Sequence, residues 1–130
     1  MKYKLSYSDP NTHYLDIELV VDGLDGKSVE VQLPAWRPGR YELANFAKNV
    51  RNWQAFDGAG YQLKSKKLTK DRWMVQLNGS DCLTVRYNYY ANEMNAGSTL
   101  LDATQLYVNP VNFFLYLDDR QNEPCEVQLE

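Results

Sequence analysis

The chain has 130 residues, enough for one domain with a core of its own and too few for several. Its formal charge of -3 argues against nucleic acid as a partner, since phosphate binding needs a basic face. No apolar run reaches membrane-spanning length, and the opening MKYKLSYSDP lacks the apolar centre of a signal peptide, so neither membrane nor nucleic acid is expected as a partner and the cytoplasm is the default compartment. Tyr3, Leu5 and Tyr7 alternate with polar residues as in a half-buried first strand, and Ser8-Asp9-Pro10-Asn11 is turn chemistry. Leu15, Ile17, Leu19 and Val21 mark a long second strand. After the turn Asp22-Gly23-Leu24-Asp25-Gly26, Val29, Val31 and Leu33 mark a third, giving antiparallel strands joined by short turns.

Leu43, Phe46, Ala47 and Val50 stand at helical spacing and predict one or two helical turns within residues 42–52. Alternation resumes around Trp53, and Asp57-Gly58-Ala59-Gly60 closes a hairpin into residues 61–66. Lys64, Lys66, Lys67 and Lys70 read as a solvated sheet edge, where lysine opposes edge-to-edge association. Asn78-Gly79 is the strongest hairpin signal, predicting that residues 73–77 pair with residues 83–90. Residues 92–99 read as an exposed loop. The apolar run at 111–117 predicts a strand covered on both faces, either inside this domain or by a neighbour. Ten tyrosines and many short strands point to an all-β fold, an antiparallel β-sandwich with at most one or two short helical turns. The sandwich is expected over 1–122. Residues 123–130 would begin a linker to a following catalytic domain, or be an artificial tail.

Chemical signatures are sparse. The sequence contains no H-E-x-x-H, no G-x-S-x-G and no phosphate-binding glycine loop. Cys82, Cys125 and the lone His13 do not make a usual zinc set, and the thiols read as reduced. A lone histidine beside a turn is a surface or capping residue. Asp16 and Glu18 share a strand face opposite Ile17 and Leu19, which makes that face a wet one.

The unusual stretch is Leu33-Pro34-Ala35-Trp36-Arg37-Pro38-Gly39-Arg40-Tyr41. Two prolines bar it from a central ladder, and Pro38-Gly39 suits a type II turn. It displays Trp36, Arg37, Arg40 and Tyr41, residue types that gather at the centres of interfaces. Plugging one end of a sandwich core would use Trp36 and Tyr41 equally well.

That stretch, followed by Phe46-Ala47-Lys48-Asn49-Val50, resembles the L-P-x-W-x-P-G-x-Y…F-A-[RK]-x-[IV] signature of the amino-terminal domain of the glycyl aminopeptidase family. Members are zinc metallopeptidases with a thermolysin-like catalytic domain and usually a PDZ domain. Tyr3 to Pro10, Lys70-Asp71-Arg72-Trp73, VRYNYYA from Val85 and Leu106-Tyr107-Val108-Asn109-Pro110-Val111-Asn112 are similar to further pieces of that domain. The resemblance implies a non-catalytic β-sandwich that packs against the protein's own catalytic domain and helps shape the cleft for a peptide substrate. By the same analogy Trp36, Arg37, Pro38, Gly39, Arg40 and Tyr41 lie at the cleft or domain interface, with Tyr107, Asn109 and Asn112 as second candidates. No cofactor is expected in this chain, and zinc belongs to the catalytic domain. Alone, the chain should hydrolyse nothing.

The rival reading is a freestanding sandwich that binds a carbohydrate or peptide through exposed aromatics. An interface domain should expose an apolar patch around Phe113, Phe114 and Trp36 and should tend to self-associate.

Overall fold

The computed structural model describes residues 1–36, 43–95 and 97–130. Among these, β1 (Lys2–Ser6), β2 (Tyr14–Val21), β4 (Val50–Asp57), β5 (Gln62–Leu63), β8 (Leu83–Tyr90) and β11 (Glu126–Leu129) form a six-stranded sheet in the order β11-β1-β2-β8-β4-β5. A three-stranded sheet, β3-β7-β6, is made from β3 (Ser28–Gln32), β6 (Ser65–Thr69) and β7 (Arg72–Gln76). The short strands β9 (Leu100–Leu101) and β10 (Leu106–Tyr107) form a separate pair. The fold is all-β, with three single-turn 3-10 segments among the described residues.

The period-two pattern places the core. Leu15, Ile17, Leu19 and Val21 on β2 lie beside Tyr89, Tyr87, Val85 and Leu83 on β8, and all eight are buried. Val31, Trp73 and Val75 of the small sheet belong to the same core. Side chains with no exposure, such as Leu15 and Val75, each contribute about 1.5–3 kcal/mol relative to an exposed position. Trp53 and Trp73 stack between the sheets at 4.3 Å and 7°. The lysine-rich strand β6 is exposed along its length at the edge of the small sheet, where the sequence places a solvated edge.

The strand partners differ from those expected in two places. Strands β7 and β8 do not pair; β7 lies between β3 and β6, whereas β8 lies between β2 and β4. The turn chemistry at Asn78-Gly79 is nonetheless fulfilled, with φ of 52° and 84° and the Ser80 N–H donating to the Leu77 carbonyl at 2.9 Å. The turn carries the chain across the core, so the apolar faces of β7 and β8 oppose one another instead of lying side by side. The turn at Asp22–Gly26 likewise sends β3 to the small sheet, so the first three strands are no simple meander. The weak helical period at 43–50 becomes a 3-10 turn, Phe46–Asn49, that runs straight into β4.

Residues 111–117 are no ladder strand. A 3-10 turn at Pro110–Asn112 opens the run, and only Tyr116 bridges to Gln32. Phe113, Leu115 and Leu117 point inward and are buried in this domain's own core, with Phe113 showing no exposure. A plug without a ladder leaves carbonyls to satisfy. The Tyr3 hydroxyl donates to the Leu115 carbonyl at 2.5 Å, and the Tyr87 hydroxyl donates to that of Phe113. Past residue 122, where sequence alone sets the boundary, Glu126–Leu129 join the large sheet, pairing parallel with β1. This is the one parallel pair among otherwise antiparallel ladders of the described residues.

The two buried phenols make stability alkali-sensitive. Burial, aided by the negative charge of an ionised Cys125, pushes the Tyr3 hydroxyl from 10.0 up to about 12. Burial and the neighbouring Tyr3 also push Tyr87 upward. The folded state therefore holds protons that the unfolded chain has released, and their contribution is intact below about pH 10 and lost as pH rises through about 12. Urea midpoints should fall between about pH 10 and about pH 12, and Tyr3→Phe should lessen the fall. A flat profile for the unmodified chain would contradict the burial of both phenols.

Candidate functional site

Strand β3 ends at Gln32, and the N–H of the next residue, Leu33, donates to the Asp71 carbonyl at 2.8 Å. Two residues on, the Ala35 carbonyl accepts from the Ala44 N–H at 2.6 Å, which brings the two ends of the 36–43 loop together. Trp36 and Leu43 stand at those ends, 53% and 81% exposed. Arg37, Pro38, Gly39, Arg40 and Tyr41 lie outside the described residues.

Leu43 begins one wall of a cleft of about 280 Å³. Phe46, Lys48 and Asn49 continue that wall on the 3-10 turn, Glu93, Asn95 and Ser98 form the other, and Asn112 lies at its base. The second wall is built by local hydrogen bonds. Asn95 Oδ1 accepts from the Gly97 N–H at 3.0 Å, the Ser98 N–H donates to the Asn95 carbonyl at 3.2 Å, and Ser98 Oγ donates to Glu93 Oε2 at 3.0 Å.

Asn112 ties this wall to the core. It is 1% exposed; its Nδ2 donates to the Gly97 carbonyl at 3.0 Å and its Oδ1 accepts from Thr99 Oγ1 at 2.8 Å. Thr99, 2% exposed, accepts in turn from the Asn109 N–H at 3.2 Å. The expectation of an exposed loop over 92–99 therefore fails at Gly97 and Thr99, which are buried. A buried amide needs partners for both its donor and its acceptor, and the Gly97 carbonyl and the Thr99 hydroxyl supply them.

Tyr89 closes the inner side of the cleft. Its hydroxyl accepts from Asn49 Nδ2 at 3.2 Å. Burial raises its pKa, the Asn49 hydrogen bond opposes that rise, and the Glu93 charge adds to it. Tyr107, 46% exposed, lies over a neighbouring hollow of about 350 Å³ with Met94, Leu100 and Gln105; Asn95 belongs to both hollows. Asn109 contributes backbone to the clamp. Of the expected site residues, then, Asn112 lines the cleft and Tyr107 the adjoining hollow, while Trp36 is exposed and lines neither.

Sequence reasoning did not single out Glu93, Asn95 or Ser98, although Asn95-x-Gly97-Ser98 is an Asx-turn signal. Phe46, Lys48 and Asn49 belong to the stretch that carries the family resemblance. The lining offers amides, one ammonium and one carboxylate, which suit hydrogen bonds to an extended polar chain. Its one hydroxyl–carboxylate contact, Ser98 to Glu93, is part of the wall itself. His13 sits apart, with Nδ1 2.6 Å from the Leu101 carbonyl. Among the described residues no three His, Cys, Asp or Glu side chains converge, so the zinc implied by the resemblance finds no ligand set among them. Of the tryptophans, Trp53 and Trp73 are engaged in the intersheet stack and Trp36 is the exposed one.

Residues 2–130 match the family model described as the Peptidase M61 N-terminal domain. A solved structure, that of an aminopeptidase N family protein from Idiomarina loihiensis, is similar over 99% of this chain at 27% identity with a TM-score of 0.91. The match occupies only 22% of that protein's chain. No curated protein matches the chain closely enough to count as a relative.

Proposed function

Because the chain belongs to the Peptidase M61 N-terminal domain family, we propose that it is the non-catalytic amino-terminal domain of a zinc-dependent aminopeptidase, packed against a catalytic domain whose substrate cleft it helps to shape. The observation that carries this reading is the family match over residues 2–130. The similar structure, that of an aminopeptidase N family protein, supports it with about four-fifths of its length lying outside the shared region. In this reading zinc and its ligands belong to the catalytic domain, and the present chain supplies shape and hydrogen bonds. The part that faces the peptide is the one carrying Trp36, Leu43 and the polar cleft: the exposed indole is an anchor for apolar contact, and the exposed amide of Asn95 is a backbone-like partner.

The test uses the full-length polypeptide. Zinc removal should abolish peptide hydrolysis, with zinc restoring it. Trp36→Ala should leave zinc content unchanged and lower kcat/KM by about tenfold, the value of one interface anchor. Unaltered kinetics in that variant would remove the cleft role. Activity that survives chelation would remove the zinc assignment.

A further inference from the structure

The core is left open at the β1–β11 edge. These strands run parallel, with Tyr3 opposite Val127 and Leu5 opposite Leu129. Paired residues share a sheet face, so Val127 and Leu129 stand on the core side with Tyr3 and Leu5. Yet Tyr3 and Leu5 are 5% and 4% exposed, whereas Val127 and Leu129 are 53% and 64% exposed. Cover stops over β1, where Phe114 stacks on Tyr3 at 4.2 Å. Glu126 and Gln128 occupy the opposite face, giving β11 the alternation of a strand with one dry face. That dry face meets solvent on an edge strand, an arrangement that invites unwanted pairing unless something covers it.

We propose that the remainder of the peptidase polypeptide packs an apolar surface onto Val127 and Leu129 and so completes the core of this domain. The proposal rests on the reading of the chain as one part of a longer peptidase and assigns a second, separate contact to it. Three observations favour this occupant. The similar structure devotes only 22% of its chain to the shared region, so a large body of protein is available. Both ends of the present chain lie on these two strands: the Glu126 N–H donates to the Met1 carbonyl and the Glu130 N–H to the Leu5 carbonyl, each at 3.0 Å. Polypeptide continuing from either end therefore starts at this edge, and a short tether gives it a high effective concentration there. Finally, the bare side chains are aliphatic, so the matching surface is apolar rather than charged.

Carbene footprinting of the full-length polypeptide tests the assignment, with leucines compared among themselves. Leu68 on β6 is 42% exposed, at the edge of the small sheet, and serves as the internal standard. Exposure in this domain alone would label Leu129 more than Leu68. The expected result is the reverse, Leu129 labelled several-fold less than Leu68 at every protein concentration. Leu129 labelled as strongly as Leu68 would overturn the proposal. Protection that disappears on dilution would also overturn it, in favour of a second copy as the occupant. Leu43 reports separately on the cleft end. Protected Leu129 with Leu43 labelling that added peptide substrate does not lower would count against the cleft reading alone, and unprotected Leu129 with Leu43 shielded by the peptide against this proposal alone.

Discussion

Phe113→Ala is expected to cost about 3–5 kcal/mol of stability, the range for deleting a buried aromatic ring. The ring has no exposure, meets Tyr89 at 5.6 Å and Phe114 at 5.0 Å, and its own carbonyl holds the Tyr87 hydroxyl. Its segment has almost no ladder to keep it in place, so the side chain anchors the backbone as well as filling volume. A single domain is stable by only about 5–15 kcal/mol, so the variant should unfold at a much lower denaturant midpoint and lose the exchange protection of β8. Phe113→Leu keeps much of the apolar volume and should lose less. If Phe113→Ala moved the midpoint by less than about 1 kcal/mol, the plug would not be part of the core.

Asn112→Ala should cost about 1–3 kcal/mol, because it strands the Gly97 carbonyl and removes the acceptor of the Thr99 hydroxyl. The effect should be concentrated in one wall of the cleft. Amide exchange at 97–99 should quicken well beyond what the global loss explains, and in the full-length peptidase KM should rise more than kcat falls. Asn112→Asp supplies the sharper comparison. It keeps the acceptor facing Thr99 but aims a carboxylate at the Gly97 carbonyl in a buried place. Its folded-state pKa is then raised, so the variant should gain stability as pH falls and lose it as pH rises. Equal exchange at 97–99 in all three proteins would show that the amide does not hold the wall.

Much of the fold is legible in the alternation of apolar residues. Leu15 to Val21 and Leu83 to Tyr89 could only be strands with one dry face, and they are the centre of the large sheet. Partner choice was not legible. Asn78-Gly79 satisfies the same backbone geometry whether the next strand lies alongside or crosses the core, and the choice depends on what Trp73 and Val75 must pack against. Residues 113–117 also alternate, but Pro110 and the 3-10 turn set them at the core without a neighbour in ladder register. Of the candidate site, Trp36 is exposed, and Phe46, Lys48 and Asn49 line a cleft. The clamp formed by Asn112, Thr99 and Gly97 was hidden, because small polar residues read as surface until a buried amide gives them partners. The stretch from Arg37 to Tyr41 lies outside the described residues, so its share of the site rests on the sequence.

The hydrogen bond from Tyr3 to Leu115 joins residues 112 positions apart. On the ribosome, synthesis at about 5–20 residues per second puts on the order of ten seconds between the first strand and the plug that seals it. In that interval the nascent β1–β2 hairpin carries Tyr3, Leu5, Leu15 and Ile17 on an uncovered face. A ribosome stalled before residue 113 would hold a chain with neither Phe113 nor Leu115 to fill its centre. Sealing of this core therefore waits for residues 113–117, and until they emerge the apolar face of β1 and β2 is the kind of surface a chaperone at the tunnel exit binds.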